Sequence, residues 1–335
     1  MDLSTDYLGL ELAHPIIASA SPLTGDLGNI RRMEDAGAAA VVMHSLFEEQ
    51  IRKEAAAMDT LLSSSADSFG EALSYFPPLG DYRASEESYL ETLTAASAAV
   101  DIPVIASLNG ITPTGWTGHA TAMEQAGASA IELNIYYIAA DAAESGQQVE
   151  ARYLDIVRAV KSAVSIPVAV KVGPYFSAFS HMAHQMVGAG ADGLVLFNRF
   201  YQPNFDLQQM AVTRALDLSR AEEIRTGLLW ISVLYQKLSA SIAATTGVET
   251  HTEIVKYLMA GADAVMTTSS LLRHGIGYLG ELRDDLDDWM ERHGFASLAP
   301  LRGSMSLSRV SDPSAFERAN YIRMLEEFEP EHTSA

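Results

Sequence analysis

A lysine inside an apolar run is the first residue of this sequence that demands a chemical explanation. Lys171 sits in "PVAVKVGP", and a buried ammonium must either reach water or meet an anion. Such a lysine could pair with an anionic ligand, stabilise negative charge developing on a cofactor, or form a Schiff base with a carbonyl. The residue alone does not choose. Asn134 closes "IELN" and Asn198 closes "LVLFN". Their amides present donor and acceptor together, which suits the edge of a heterocycle or a carboxamide, although neighbouring backbone can satisfy a core asparagine equally well. "AATTGVET" and "VMTTSSLL" place Thr246, Gly247, Thr268 and Ser269 after two further apolar runs. Backbone N–H groups there can cradle a phosphate, and helix capping is the plainer use of the same residue types. His44, in "VVMHS", is by type a ligand, an acid–base group or a hydrogen-bonding wall residue. No second histidine stands at metal-ligand spacing, so no metal is expected.

The elements that must position these residues follow from a recurring phrase. "EDAGAAAVVMHS", "EQAGASAIELN", "VGAGADGLVLFN" and "LMAGADAVMTTS" each run a helical pattern into Ala-Gly-Ala before an apolar run begins. Glycine ends a helix well because it enters the left-handed region without steric penalty. Each phrase therefore reads as helix, cap, buried strand. A second phrase, proline then strand, appears at "HPIIASA", "IPVIASLNG" and "IPVAVKVG". Together they predict strands near 15–20, 39–44, 103–108, 130–135, 167–172, 193–198, 239–244 and 264–269. These runs are apolar throughout, as parallel strands covered by helices require, and eight such units predict an α/β (β/α)8 TIM barrel. Chemistry in that fold gathers at the C-terminal strand ends. The intervals after the second and sixth strands, about 45–102 and 199–238, are long and predict insertions over the mouth. Residues from about 280 to 335 predict helices packing outside the barrel, and one domain spanning 1–335 is expected.

Composition narrows the function classes. The 22 basic and 43 acidic residues give a formal charge of -21, which disfavours nucleic acid and anionic membranes as partners. No apolar run approaches the roughly 20 residues that span a bilayer. "MDLSTDYLGL" lacks the basic flank and apolar core of a signal segment, so a cytoplasmic protein is expected. The absence of cysteine removes disulfides, thiolate nucleophiles and iron–sulfur ligation together.

Taken in order, "HPIIASAS", "AGAAAVVMHS", "SADSFG", "PVIASLNG", "IELN", "VAVKVG", "LVLFN", "TTGVET" and "VMTTSSLL" resemble the dihydroorotate dehydrogenases, FMN-dependent (β/α)8 barrels, over nearly the whole length. The resemblance implies FMN, with its phosphate at Thr246, Gly247, Thr268 and Ser269. It sets Lys171 beside the flavin pyrimidine edge, where its charge would stabilise the reduced ring. It implies that Ala20, Ser45, Ser107 and Phe197 line the cofactor and that Asn134 and Asn198 lie near flavin and substrate. The implied activity converts dihydroorotate to orotate in pyrimidine biosynthesis, in a homodimer, with a separate redox partner protein as a further option.

Departures from the family pattern fall on the substrate side. His44 stands where the family has a lysine, Asp67 where an orotate-binding asparagine is expected, and Arg199 where a small hydroxyl residue follows Asn198. With Asn134 and Asn198, these make the expected substrate-binding set. Tyr137, in "NIYYIA", occupies the position of the Cys or Ser that removes the substrate C5 proton, and Ala139 replaces a second asparagine. Tyr137 is thus the candidate acid–base residue beside catalytic Lys171, with a pocket-wall aromatic as the other reading. A phenol of pKa near 10 needs a neighbouring cation, such as His44 or Arg199, to act as a base at neutral pH. Two further readings stay open: a cofactor-free Schiff-base lyase or aldolase using Lys171, and a non-catalytic FMN-binding subunit docked on another enzyme.

Overall fold

The computed structural model describes residues 1–48, 86–110, 116–199, 203–213, 217–316 and 320–327. Within them the strands are β1 (Thr5–Tyr7), β2 (Leu10–Leu12), β3 (Ile16–Ala18), β4 (Ala40–Phe47), β5 (Val104–Asn109), β6 (Ala130–Asn134), β7 (Val168–Val172), β8 (Gly193–Leu196), β9 (Asn204–Asp206), β10 (Ala211–Thr213), β11 (Ser241–Ala244) and β12 (Ala264–Thr267). β3 to β8, β11 and β12 form a closed parallel barrel, in which β8 pairs with β11 and β12 returns to β3. This is the expected (β/α)8 architecture; seven barrel strands follow a helix-cap or proline phrase, and β11 lies at the eighth expected position without either. The four Ala-Gly-Ala glycines, Gly37, Gly127, Gly190 and Gly261, all have positive φ, the conformation for which glycine is the default residue.

Side-chain alternation sorts the strands into two cores. On β6, Ile131 and Leu133 join the outer apolar layer beneath the helices, whereas Ala130 faces the barrel interior with Ile17, Val42, Ile105, Ala169, Val195 and Ala243. Glu132 and Asn134 share the parity of Ala130, so the strand pleat alone sends both inward. The antiparallel hairpin β1–β2 closes the N-terminal end of the barrel, a feature the sequence reading does not anticipate. Its Tyr7, Leu8 and Leu12 belong to the interior core, and the Leu8 N–H donates to Ser241 Oγ at 3.0 Å. With that end plugged, the opposite end is left for chemistry.

Both long intervals contain secondary structure of their own. Residues 49–85, from the first insertion, lie outside the described residues, and that interval ends in a helix, Glu86–Ala99, which buries Tyr89, Leu93 and Ala96. The second insertion contains the exposed hairpin β9–β10 and the helix Ile224–Leu234. The C-terminal helix Tyr278–Arg292 buries Leu279, Leu282, Leu286 and Met290 against the barrel. At about 1.5–3 kcal/mol for each fully buried large apolar side chain, this face is enough to hold the helix in place. No helix among the described residues is long and apolar enough to cross a membrane.

His14 links the first strand to the Gly37 cap and carries a pH dependence. Its Nδ1 accepts from the Ile16 N–H at 3.2 Å, so Nε2 holds the proton donated to the Gly37 carbonyl at 2.6 Å. Burial lowers its pKa to about 4; the Gly37 hydrogen bond opposes this and Arg283 acts with it. The folded pKa lies below the unfolded value near 6.5, so the unfolded chain binds more protons between the two. Stability from this site is therefore complete above pH 6.5 and falls as pH drops toward 4, by about 3 kcal/mol in all. Urea unfolding at pH 7 and pH 4.5 should show this loss in the natural protein and a smaller one in His14→Gln.

Candidate functional site

A pocket at the C-terminal strand ends holds about 490 Å³ of space, part of it open to solvent. Its walls include Ala20, Lys171, Phe197, Asn198, Arg199, Thr246, Gly247, Thr268 and Ser269, residues named from sequence, together with Ser19, Ser219 and Thr245. Register brings the polar groups together. Asn109 pairs with Asn134 and Asn134 with Lys171 across β5, β6 and β7. Asn198, just beyond β8, donates from Nδ2 to Asn134 Oδ1 at 2.7 Å.

Lys171 meets an anion that sequence inspection passed over. Its Nζ lies 3.2 Å from Glu132 Oε1, and the two residues are 8% and 1% exposed. An ion pair this deep is stable only because each charge compensates the other, and deleting one partner costs about 3–5 kcal/mol. The signal for Glu132 was present in the sequence: an acid in an apolar strand, two residues before Asn134 and hence on the same inward face.

The last two strand ends form a mesh of small hydroxyl residues. Thr246 and Gly247 both have positive φ; Thr246 Oγ1 donates to the Phe197 carbonyl at 3.0 Å, and the Tyr257 hydroxyl donates to the Thr246 carbonyl at 2.9 Å. Thr268 Oγ1 donates to the Ser19 carbonyl at 3.0 Å. The Gly247 N–H donates to Ser219 Oγ at 3.1 Å, and Ser219 Oγ lies 2.9 Å from Ser269 Oγ. One hydroxyl oxygen is thus hydrogen-bonded to both loops at one point. Arg273 secures this corner by donating from Nη2 to the Ser219 carbonyl at 2.7 Å and from Nη1 to Glu249 Oε2 at 3.0 Å. Ser219 comes from the second insertion, and only the folded chain reveals its place here.

Other sequence-predicted residues occupy different surroundings. Ser45 and Ser107 bond to one another at 2.8 Å, and Ser107 is fully buried, with its N–H donating to the Tyr89 hydroxyl at 2.8 Å. His44 does not line the pocket. The β4–β5 register shifts between Val42 and Ser45, an extra residue that re-aims the strand. The His44 ring instead lies edge-on to Tyr89 at 5.0 Å and against Gly25. Burial lowers its pKa, opposed by a hydrogen bond to the Thr24 backbone. Arg199 stands at the rim, donating from Nε to Glu223 Oε2 at 2.9 Å and from Nη1 to the Asp217 carbonyl. Asp67 lies outside the described residues.

Tyr137 is held on the outer side of the strand-end loop. Its hydroxyl donates to Glu144 Oε2 at 2.6 Å, the Arg152 guanidinium lies 4.3 Å over its ring, and Arg152 Nη2 pairs with Glu144 Oε1. Its ring packs against the outer apolar layer. Tyr137 is thus engaged with Glu144 and is not among the residues that line the pocket described above.

Comparison with known proteins places the chain in a family. The sequence model of the family described as dihydroorotate dehydrogenase matches residues 79–290. The chain is 30% identical over 227 residues to a putative dihydroorotate dehydrogenase A (fumarate) of Aeropyrum pernix, covering 66% of this chain and 72% of that protein. It is 24% identical over 307 residues to the dihydroorotate dehydrogenase B (NAD(+)) catalytic subunit of Thermoplasma volcanium, covering 90% and 98%. The corresponding subunit of Methanocaldococcus jannaschii is 25% identical over 296 residues, covering 86% and 94%. With a family match over more than half its length and the strand-end residues described above, the chain belongs to the dihydroorotate dehydrogenase family.

Proposed function

We propose that this chain is an FMN-dependent oxidoreductase whose substrate is a small planar or unsaturated molecule, with a pocket altered from that which serves dihydroorotate. The observation that carries the reading is the buried Lys171 on the floor of a pocket flanked by the Asn134–Asn198 amide pair and the Thr246–Gly247 and Thr268–Ser269 loops. The residues present fit FMN. A Cβ at Gly247 would fill the cradle between Ile224 and the Arg220 carbonyl, and Ser219 Oγ already marks a point where an oxygen is bonded from two loops. When bound, FMN supplies hydride acceptance or donation at its N5.

In this reading Lys171 keeps positive charge at the pocket floor, while Asn134 and Asn198 bind the polar edge of cofactor or substrate. Ala20 and Phe197 wall the cofactor. Thr246, Gly247, Thr268 and Ser269 hold its phosphate, with Ser219 as an addition. Ser45 and Ser107 tie β4 to β5 on the cofactor side. His44, Asp67 and Arg199 remain candidates on the substrate side. Tyr137 joins proton transfer only by leaving Glu144. Relatives named as catalytic subunits support a separate redox partner protein. A cytoplasmic, homodimeric single-domain protein completes the proposal.

The departure from dihydroorotate rests on chemistry the chain lacks and on where Tyr137 points. There is no cysteine, Tyr137 stands at the family base position with its hydroxyl on Glu144, and Ala139 replaces the second asparagine. The test is anaerobic mixing of the purified protein with dihydroorotate while the flavin band is followed, with Tyr137→Phe alongside. The expected outcome is a yellow protein with one FMN per chain that dihydroorotate does not promptly bleach. Prompt bleaching would restore dihydroorotate as substrate, and a protein that takes up no FMN would sink the proposal. With whichever substrate reduces the flavin, Tyr137→Phe should change the rate by about threefold at most, whereas loss of a true general base costs about 10²–10⁴-fold.

A further inference from the structure

Among the described residues, Glu132 is the most deeply buried carboxylate that the proposed function leaves without a task. It is 1% exposed on the interior face of β6, its Oε1 lies 3.2 Å from Lys171 Nζ, and its Oε2 has no hydrogen-bond partner among the described residues. A lone buried carboxylate oxygen is costly, because desolvation is not offset by a second bond. An apolar residue would remove that cost at this position. What glutamate offers instead is charge, and the group that receives it is Lys171.

Burial works against a protonated lysine, since desolvation disfavours the charged form and can lower a buried lysine's pKa by several units. Lys171 is 8% exposed and can do electrostatic work in the pocket only while it keeps its proton. The charge of Glu132 is also felt elsewhere in the interior. Burial first, then Glu132, holds the Tyr7 phenol well above its ordinary pKa. Burial does the same to Tyr89, where a Ser107 backbone hydrogen bond opposes and Glu132 adds a smaller push. The titratable groups around the pair are thus Tyr7 from the plug, Tyr89 from the 86–99 helix and Arg199 at the pocket rim. Tyr7 and Tyr89 are neutral, and Arg199 is engaged with Glu223. Among these described groups, Glu132 is the counter-ion left for the lysine.

We infer that Glu132 is a positioning residue that keeps Lys171 protonated inside the barrel, and that through the lysine it sets how strongly the site favours the reduced cofactor. The second half rests on the FMN reading. Removing the carboxylate lets the buried lysine lose its proton, so the site loses a cation and the reduced form becomes less favoured. Glu132 therefore raises the flavin potential even though its own charge is negative, because it acts through Lys171.

Two measurements decide the matter. In the FMN-loaded protein, Glu132→Gln is expected to lower the midpoint potential at pH 8 by at least tenfold in the reduced-to-oxidised ratio, about 30 mV for a two-electron couple. The deficit should shrink as the pH is lowered and Lys171 regains its proton, and Lys171→Met should show no further fall when Glu132→Gln is added. Glu132→Met serves the same comparison if the glutamine variant does not fold. An unchanged or raised potential in the variants overturns the inference. The flavin-free measurement is 15N NMR of lysine side chains in the full chain, with Lys171 assigned from Lys171→Arg. Lys171 should lose its proton at lower pH in Glu132→Gln than in the natural sequence. Equal titration overturns the inference, whether or not FMN binds; failure of the natural chain to bind FMN overturns the function proposed above and leaves the NMR comparison decisive for Glu132.

Discussion

Lys171→Met is expected to slow reduction of the bound flavin by about 10²–10³-fold, the usual cost of removing a preorganised group that meets developing charge. The same substitution should lower stability by about 3–5 kcal/mol, because Glu132 stays buried with no cation opposite it. These two effects have different cures. Adding Glu132→Gln to Lys171→Met removes the orphaned charge and should return most of the stability, yet it restores none of the rate. Denaturant unfolding and stopped-flow flavin reduction on the single and double variants separate the two. A double variant that recovers both would show that Lys171 serves only to neutralise Glu132. If the single variant kept its reduction rate, Lys171 would have no chemical role.

Gly247→Ala carries the second large effect, and its cause is local. Gly247 has φ +74, and a Cβ there would come within 2.7 Å of Ile224 Cγ2 and 2.8 Å of the Arg220 carbonyl oxygen. The left-handed conformation alone costs a non-glycine residue about 1–2 kcal/mol. The carbonyl belongs to the backbone of the insertion that supplies Ser219, so it cannot move aside without displacing Ser219 as well. The expected result is a stability loss of about 2–4 kcal/mol from strain plus overpacking, with FMN affinity reduced at least about 100-fold, or about 2.7 kcal/mol. Gly275→Ala is the matched control: its φ is +88, but nothing lies within 4 Å of its added Cβ. It should show the conformational cost and keep FMN. Fluorescence titration of the apoprotein with FMN, beside thermal unfolding, reads both quantities. Equal FMN loss in the two variants would mean that crowding at Gly247 has nothing to do with cofactor binding.

The signals legible in the chain were those carried by neighbours in sequence. Ala-Gly-Ala caps, proline strand starts and continuous apolar runs are written within a dozen residues, and they located all eight barrel strands. The general rule for barrels then put the chemistry at one end, where Lys171 and Asn134 both lie. Glu132 could have been read from strand alternation, since its parity is that of Asn134. Local pattern was less informative for β1–β2 and β9–β10, whose strands are three residues each, too short for a period to show.

His44, Tyr137 and Ser219 mark where the sequence alone stops. A register shift between β4 and β5 turns His44 toward Tyr89, and a shift of one residue reverses the face of a strand without leaving a local signature. Tyr137 stands at the family's base position in sequence, but Glu144 and Arg152 hold its hydroxyl on the outer side of the loop. Ser219 reaches the mouth from an insertion distant in sequence from the two loops it bonds. The sequence by itself determined the barrel, the family and the strand-end positions of Lys171 and Asn134, because these depend on caps, strand starts and short-range pattern. Only the tertiary structure decided which polar groups meet in the pocket and which are tied elsewhere, because those choices are made by contacts between segments that the chain brings together after the strands have formed.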